Sequence, residues 1–338
     1  MEGSGDPPPD SGGLDVSRVE AAALLRSATT LVLYTHRNPD GDSVGCVTAL
    51  AAALKSLGKG VRLVCPDPLP HYLLAVPGST TITTGPEAVT ADLVVSIDVS
   101  DPGLLAPLEV SQPGYFRGVY SLNIDHHFSN TRYARHNLVD HTAAAATEIV
   151  YDLIQELGLP LDHALATSLM YGIVNDTHSF QNSNTTPRTL AMSSELVAAG
   201  ANLSGIVFDL LLVRSPASAR LWALVLPTLL FHDDERVAFL TVSQDTLARA
   251  GAAMTDADGL VEFLRNIRDV DLAVLFKETD TDTYRLSMRA STAVDATVIA
   301  GAFGGGGHQR AAGCDISAPL ASAQAGILAE YLGARQAG

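Results

Sequence analysis

Residues 31–42 read LVLYTHRNPDGD. Leu31 to Tyr34 form an unbroken apolar run, the pattern of a strand buried on both faces. The run ends at His36, and Asn38, Pro39 and Gly41 are turn formers that present Asp40 and Asp42. From Ser43 the spacing turns helical, with Val44, Val47, Leu50, Ala51 and Leu54 recurring every three or four residues. An imidazole and two carboxylates therefore stand where a strand stops and a helix starts. In open α/β sheets ligands bind outside the carboxyl ends of the strands. Hard divalent cations take carboxylate oxygens, and imidazole adds a borderline nitrogen donor. Taken alone, the stretch reads equally as a solvated turn.

The same arrangement repeats along the chain. Ala91 to Ile97 (ADLVVSI) is a second apolar run and stops at Asp98, and Val119 to Ile124 is a third and stops at Asp125-His126-His127. Val61 to Val64 makes a further short strand. Helices are expected over 16–27, from Ser43 to Leu57 with Gly58 as the stop, over 144–157, over 162–174 running into Asn175-Asp176-Thr177, and from Pro187 to Ala199. Apolar strands alternating with helices predict an α/β fold. Its N-terminal part would be a doubly wound, mostly parallel sheet covered on both faces. Residues 203–230 read as closing helices and a connector, broken at Ser215-Pro216 and at Pro227. From Arg236 the order is strand, helix, strand, strand: VAFLTV, 258–267, DLAVLFKE and YRLSMRAS, with Asp280-Thr281-Asp282 as a hairpin turn. A last helix near 319–334 completes a smaller C-terminal α/β domain. The expected division is a disordered tail over 1–13 (MEGSGDPPPDSGG), a catalytic metal-binding domain over 14–202, a helical connector over 203–230 and a substrate-binding domain over 231–338. The active cleft would lie between the two domains.

Composition narrows the partners. The formal net charge of −16 argues against a broad basic face for long duplex nucleic acid, although a metal centre can supply a positive field locally. With 47% hydrophobic and 17% charged residues the 338-residue chain fits a large packed core rather than disorder. Cys46, Cys65 and Cys314 are far apart and form no CxxC pair, which reads as reduced thiols in the cytoplasm. No basic and apolar leader opens the chain and no apolar run reaches spanning length, so no membrane partner is expected.

Four places carry an acidic or imidazole group directly after an apolar run: His36/Asp40/Asp42, Asp98, Asp125-His126-His127 and Asp176. Singly, Asp98 and Asp176 also read as helix caps and the histidine pair as polar surface. Three of the four lie at strand ends, and a parallel sheet brings such ends to one edge. About four carboxylates and two imidazoles exceed what one cation needs. Two divalent cations roughly 3.5–4 Å apart, bridged by a carboxylate, use them all. Oxygen and nitrogen donors without thiolate point to Mn²⁺, with Mg²⁺, Co²⁺ or Fe²⁺ as alternatives. Water shared by two such cations loses a proton near neutral pH, and the implied chemistry is phosphoester hydrolysis.

The motifs HRNPDGD at 36–42, Asp98, Asp125-His126-His127 and GIVNDT around Asp176 resemble the four motifs of the DHH phosphoesterase superfamily. GGGGHQRAAG at 304–313 resembles the signature of the associated C-terminal domain of its DHH/DHHA branch. The resemblance implies one cation held by His36, Asp40 and Asp98, and another held by Asp42, Asp98, His126 and Asp176. His127 would face the substrate phosphate, stabilising charge or protonating the leaving oxygen. Asp125 would orient the adjacent histidines, a buried polar role being the other reading. His127, Asp98 and Asp125 are thus the expected catalytic set. In the second domain, Gly305, Gly306 and Gly307 let backbone N–H groups approach an anion as a concave nest. His308 and Arg310 add directional donors, and Arg289 would face the same region, its planar fork suiting phosphate. A flexible loop, and for Arg310 a surface salt bridge, are the alternative readings.

The branch most resembled contains nanoRNase-type enzymes that degrade oligoribonucleotides of a few residues and remove the 3′-phosphate of 3′-phosphoadenosine 5′-phosphate (pAp). Related enzymes cleave linear or cyclic di-adenosine monophosphate. The expected function is a Mn²⁺-dependent phosphodiesterase and phosphatase acting on pApA-like dinucleotides, very short RNA and pAp, with cyclic di-AMP a further candidate. A family-II inorganic pyrophosphatase shares the N-terminal motifs, but its basic Ser-Arg-Lys-Lys-type motif is not seen here. A RecJ-like processive exonuclease would want a further nucleic-acid-binding domain and a basic channel. A nucleotide-binding sensor without turnover is the alternative from another class. The resemblance and the apolar content of 203–230 point to a homodimer, and the same stretch reads equally as internal core. His178, read as narrowing the cleft rather than reaching the metals, and an alanine run at 143–146 that lacks the hydroxyl expected nearby depart from the family pattern and bear on substrate preference.

Overall fold

The computed structural model describes residues 13–85, 90–106 and 108–336. The expected disordered tail falls outside them except for Gly13. The chain divides into two units, one ending at Val213 and the other beginning at Arg214. The stretch 203–230 is therefore shared: 203–213 belong to the first unit and 214–230 to the second.

In the first unit seven strands form one sheet: β1 (Leu14–Asp15), β2 (Thr30–Tyr34), β3 (Gly60–Cys65), β4 (Ile82–Thr84), β5 (Leu93–Ile97), β6 (Ser121–Asp125) and β7 (His136–Val139). Their order is β1-β7-β6-β5-β2-β3-β4, and every pairing is parallel. The chain runs outward from β2 through β3 to β4, then returns to β5 on the other side of β2. The sheet's direction of winding thus reverses between β2 and β5, and a crevice opens at such a switch point. The strands β1, β4 and β7 were not expected; they are short and lack an apolar run to mark them.

Alternate residues of the central strands enter different cores. Leu31, Leu33, Leu93, Val95, Ile97, Leu122 and Ile124 join the larger one, built with the helices α1 (Arg18–Ser27), α2 (Gly41–Ser56), α3 (Ala146–Glu156) and α4 (His163–Thr177). Val32, Tyr34 and Val94 point the other way, against Leu105, Phe116 and Tyr133. Phe116 meets Tyr34 and Tyr133 edge to face, at centroid distances of 5.6 and 5.5 Å. Both faces are covered, which is why the strands are largely apolar; the buried exceptions Ser96, Ser121 and Asn123 are hydrogen-bonded. The second cover is made of short segments between 99 and 134 rather than long helices.

Helix α2 begins at Gly41, two residues earlier than the apolar spacing predicts. The Asp40 carboxylate caps it, accepting from the N–H groups of Asp42 (3.1 Å) and Ser43 (3.0 Å). Asp42 therefore lies in the first helical turn. Helix α2 packs closely on α4 because Gly45 leaves room: a Cβ there would sit 2.4 Å from the Ser168 carbonyl oxygen.

The second unit is a mixed six-stranded sheet: β8 (Leu230–His232), β9 (Val237–Val242), β10 (Leu272–Asp280), β11 (Thr283–Ala290), β12 (Gly306–His308) and β13 (Ala311–Ser317), in the order β12-β13-β11-β10-β9-β8. Only β9 and β10 run parallel. Val237, Phe239, Val274 and Phe276 fill one core, while Ala238, Leu240, Ala273 and Leu275 fill the other. The β10–β11 hairpin turns between Asp280 and Thr283, as the Asp-Thr-Asp sequence predicts. The strands β8, β12 and β13 and the helix Gln244–Ala250 were not expected. Among the described residues no single helix is long and apolar enough to cross a membrane.

Because Gly45 meets rigid backbone, Gly45→Ala is expected to destabilise the protein by about 1–3 kcal/mol through overpacking. Gly118→Ala, whose Cβ would enter open space, should change stability by less than about 0.5 kcal/mol. Urea unfolding of the two variants compares them, and equal midpoints would show that α2 and α4 separate at little cost.

Candidate metal centre

The loops after β2, β5 and β6 meet at the switch point, with the first turn of α2 and the last turn of α4 beside them. His36 follows β2, and its Nδ1 lies 2.7 Å from the Arg37 carbonyl oxygen. A carbonyl only accepts, so Nδ1 carries the hydrogen and Nε2 faces Asp40 (3.7 Å) and Asp98 (3.5 Å). His126 repeats the arrangement. Its Nδ1 lies 3.4 Å from the Ala143 carbonyl oxygen, and its Nε2 is 3.6 Å from Asp98 Oδ1 and 3.2 Å from Asp176 Oδ2. Asp98 itself has a left-handed backbone, φ 61°, immediately after β5. Such a conformation costs a non-glycine residue of order 1–3 kcal/mol and is characteristic of functional sites.

Three sets of side chains bring ligand atoms within 4.8 Å of one another: His36, Asp40 and Asp98; Asp42, His126 and Asp176; and Asp98, Asp125, His126 and His127. All six sequence-predicted ligands are among them. His178 belongs to none of these sets among the described residues. Asp98 Oδ1 and His126 Nε2 are buried and have no hydrogen-bond partner among the described residues. Buried polar atoms almost always find one. Two orphans 3.6 Å apart, one oxygen and one imidazole nitrogen, are the donors a divalent cation takes, and the surrounding carboxylates supply the compensating charge. The residues present fit a divalent metal.

The electrostatics agree. Burial pushes the Asp42 carboxyl well above the usual range, and the charges of Asp176 and Asp98 push it further. Burial likewise lifts Asp98, to about 6, against the hydrogen bond from His36. Burial disfavours charge on His36, yet its contacts with Asp40 and Asp98 prevail and raise it to about 11. His126 follows suit, reaching about 10 because Asp176, Asp42 and Asp98 outweigh its burial. The carboxylates thus hold both imidazoles above their ordinary range, and the centre favours positive charge.

Neighbouring residues hold these groups in place, and sequence reasoning missed several. Both oxygens of Asp42 are engaged by the N-terminus of α3: Oδ2 accepts from Ala146 N–H at 2.7 Å, and Oδ1 accepts from Thr147 N–H at 3.0 Å and from the Thr147 hydroxyl. Thr147 thus supplies the hydroxyl that the alanine run lacks. Asn175 Nδ2 donates to Asp40 (3.2 Å) and Asp176 (2.9 Å), joining α4 to the α2 cap. Its only signal in the sequence is its place beside Asp176.

His127 is partly exposed, and its Nδ1 lies 2.9 Å from Asp125 Oδ1. Asp125 is fully buried and accepts through its other oxygen from Asn130 Nδ2 at 2.6 Å. The same amide is 2.7 Å from Asn123 Oδ1. The hydrogen bond to Asp125 raises His127 despite burial, and burial of Asp125 is outweighed by His127 and Asn130, which keep it ionised. A carboxylate only accepts, so His127 Nδ1 carries its hydrogen and Nε2 is the free end of the ring.

In the second unit the glycine run differs from an open nest. The N–H groups of Gly304 and Gly305 bond to the carbonyls of Gly301 and Ala300 (3.0 and 2.9 Å), closing the helix Ala296–Gly301. Gly306, Gly307 and His308 form β12, paired with Gly313, Ala312 and Ala311 of β13. A Cβ on Gly305 would lie 2.2 Å from the Gly313 carbonyl oxygen, and one on Gly307 2.5 Å from that of Ala311. Close packing against β13 therefore requires glycine at both. Arg289 pairs with Ala311 as His308 does, so the three occupy one rung of the sheet. The His308 side chain lies outside the described residues. Arg289 is paired with Glu262 at 2.8 Å. Arg310 donates to the carbonyls of Ser291 and Val294 rather than to a surface carboxylate.

Comparison with known proteins places this geometry. The sequence model of the DHH family, N-terminal domain, matches residues 30–173, and that of the DHHA1 domain matches residues 234–331. A Thermus thermophilus protein named bifunctional oligoribonuclease and PAP phosphatase NrnA is 32% identical over 300 residues, which cover 88% of each chain. A Bacillus subtilis protein of the same name is 27% identical over 305 residues, 88% of this chain and 93% of its own. The crystal structure of an exopolyphosphatase-related protein from Bacteroides fragilis shares the fold, with a TM-score of 0.86 at 21% identity over 94% of this chain and 96% of that one. With both domain models in order and 32% identity along nearly the whole of a relative, the chain belongs to the DHH phosphoesterase superfamily, in its DHH/DHHA1 nanoRNase and pAp-phosphatase branch.

Proposed function

We propose that this protein is a divalent-cation-dependent phosphodiesterase and phosphatase that hydrolyses oligoribonucleotides of a few residues, such as pApA, and removes the 3′-phosphate of pAp. The observation that carries the reading is the buried pair Asp98 Oδ1 and His126 Nε2, neither of them hydrogen-bonded among the described residues, between two carboxylate–imidazole sets. The names of its relatives supply the substrate class. The two activities are one reaction. In pApA and in pAp the bond that breaks joins phosphorus to a ribose 3′-oxygen, water adds to phosphorus, and AMP is released. Cyclic di-AMP, opened first to pApA, extends the same chemistry.

In this reading His36, Asp40 and Asp98 would hold one cation, and Asp42, Asp98, His126 and Asp176 a second. Mn²⁺ matches such oxygen and imidazole donors best. When bound, the cations supply Lewis-acid polarisation of the phosphoryl oxygens and an acidified water. Asp98, common to both ligand sets, would tie them together. Asn175 and the α3 N-terminus hold Asp40, Asp176 and Asp42 so that the donors do not spread apart under their mutual repulsion. His127 delivers the proton from Nε2 to the departing 3′-oxygen, while Asp125, steadied by Asn130, fixes the ring and favours its charged form.

A product profile tests the reading. With Mn²⁺, the protein should release AMP from pApA and from pAp and leave pyrophosphate intact, and Asp98→Ala should abolish turnover. Hydrolysis of pyrophosphate alone would sink it. Chelation with EDTA should lower the thermal midpoint, and Mn²⁺ at about 100 times its Kd should restore about 2.7 kcal/mol of stability; an identical response from Asp98→Ala would place the ion elsewhere. His127→Ala should lower kcat by about 10²- to 10⁴-fold with KM little changed. Asn130→Ala should lower kcat in the same direction by less, and a rise in KM alone would assign both residues to binding instead.

A further inference from the structure

Phe128 follows His127 directly and is 89% exposed, more than any other large apolar side chain among the described residues. Isolated apolar residues on a surface are ordinary, but this one is held in place. The turn that carries it is fixed at both ends by one buried carboxylate: Asp125 binds His127 through Oδ1 and Asn130 through Oδ2. The Asn130 N–H closes the turn on the His127 carbonyl at 3.2 Å, and Thr131 N–H is bound to the Ser100 carbonyl at 2.9 Å. Only residues 128 and 129 project from between these anchors.

A second ring stands beside it. His141 leaves the end of β7, which is tied to β6 by the Asp140 N–H bonded to the Asp125 carbonyl at 3.0 Å. The rings of Phe128 and His141 lie 5.4 Å apart, inclined at 57°, and His141 too is exposed. The result is a preformed aromatic surface one residue from the side chain that addresses the leaving oxygen. Phosphate and ribose have no use for such a surface, whereas every nucleobase has a π-face that stacks on it. We propose that Phe128, backed by His141, is a stacking platform for the nucleobase next to the scissile phosphate and sets a preference for base-bearing substrates. The inference rests on the short-oligoribonucleotide reading above.

The test is steady-state kinetics on the full chain with Mn²⁺, comparing wild type, Phe128→Ala and Phe128→Trp. The substrates are pApA and an analogue with hydrogen in place of both adenines. Phe128→Ala should raise the KM for pApA by about 5- to 140-fold with kcat retained, which is base stacking at about 1–3 kcal/mol converted at 1.4 kcal/mol per tenfold. Phe128→Trp should restore it, and the KM for the base-free analogue should not respond to either change. An unchanged KM for pApA in an active enzyme would overturn the platform alone. So would an equal rise for the base-free analogue, or a rise that tracks loss of self-association in sedimentation. A wild-type protein that leaves pApA untouched would overturn the oligoribonuclease reading, and the platform with it.

Discussion

The carboxylate of Asp42 has no surface exposed to solvent and lies among like charges, yet it is the joint on which the first unit is assembled. It sits in the first turn of α2, and both its oxygens receive hydrogen bonds from the N-terminus of α3. It also fixes the composition of α4, since a Cβ on Gly172 would fall 1.8 Å from Thr147 Oγ1 and 2.5 Å from Asp42 Oδ1. A helix N-terminus carries partial positive charge and unsatisfied N–H groups, so it offsets part of what burial and like charges cost this carboxylate. Three helices that bury the same face of the sheet are thereby registered against one group that also faces the metal centre.

That arrangement gathers charge before any ligand is present. Asp40, Asp42, Asp98 and Asp176 converge from a helix cap, a first helical turn, a strand end and a last helical turn, and ordinary packing would keep them apart. The fold instead holds each one by a separate local device: the α2 N–H groups for Asp40, the α3 N–H groups for Asp42, Asn175 for Asp176. Among the described residues one oxygen of Asp98, in its left-handed turn, has no hydrogen-bond partner. A site built this way is stabilised by whatever brings positive charge, which links cation binding to the stability of the fold itself.

The second unit shows the opposite relation between motif and structure. Its four glycines look like a phosphate cradle in sequence, but two of their N–H groups close a helix and two of the residues are demanded by the approach of β13. The rung of Arg289, Ala311 and His308 is set by strand register, which no spacing in the sequence displays.

What could be read from the chain alone follows from local physics. Apolar runs ending in His36, Asp98 and Asp125 mark the central strands and the groups at their ends, because a strand covered on both faces must be mostly apolar. The helix patterns and Asp-Thr-Asp at the hairpin are equally local. Short strands at or next to the sheet edges were illegible, since Leu14–Asp15, His136–Val139 and Gly306–His308 draw their order from neighbours rather than from propensity. So were the roles of Thr147, Asn130 and Asn175, because a hydroxyl or an amide acquires a partner only when distant segments meet. The sequence by itself determined which groups stand at the strand ends; the tertiary structure alone decided which oxygens and nitrogens remain without partners, because satisfaction of a buried polar atom depends on every segment packed around it.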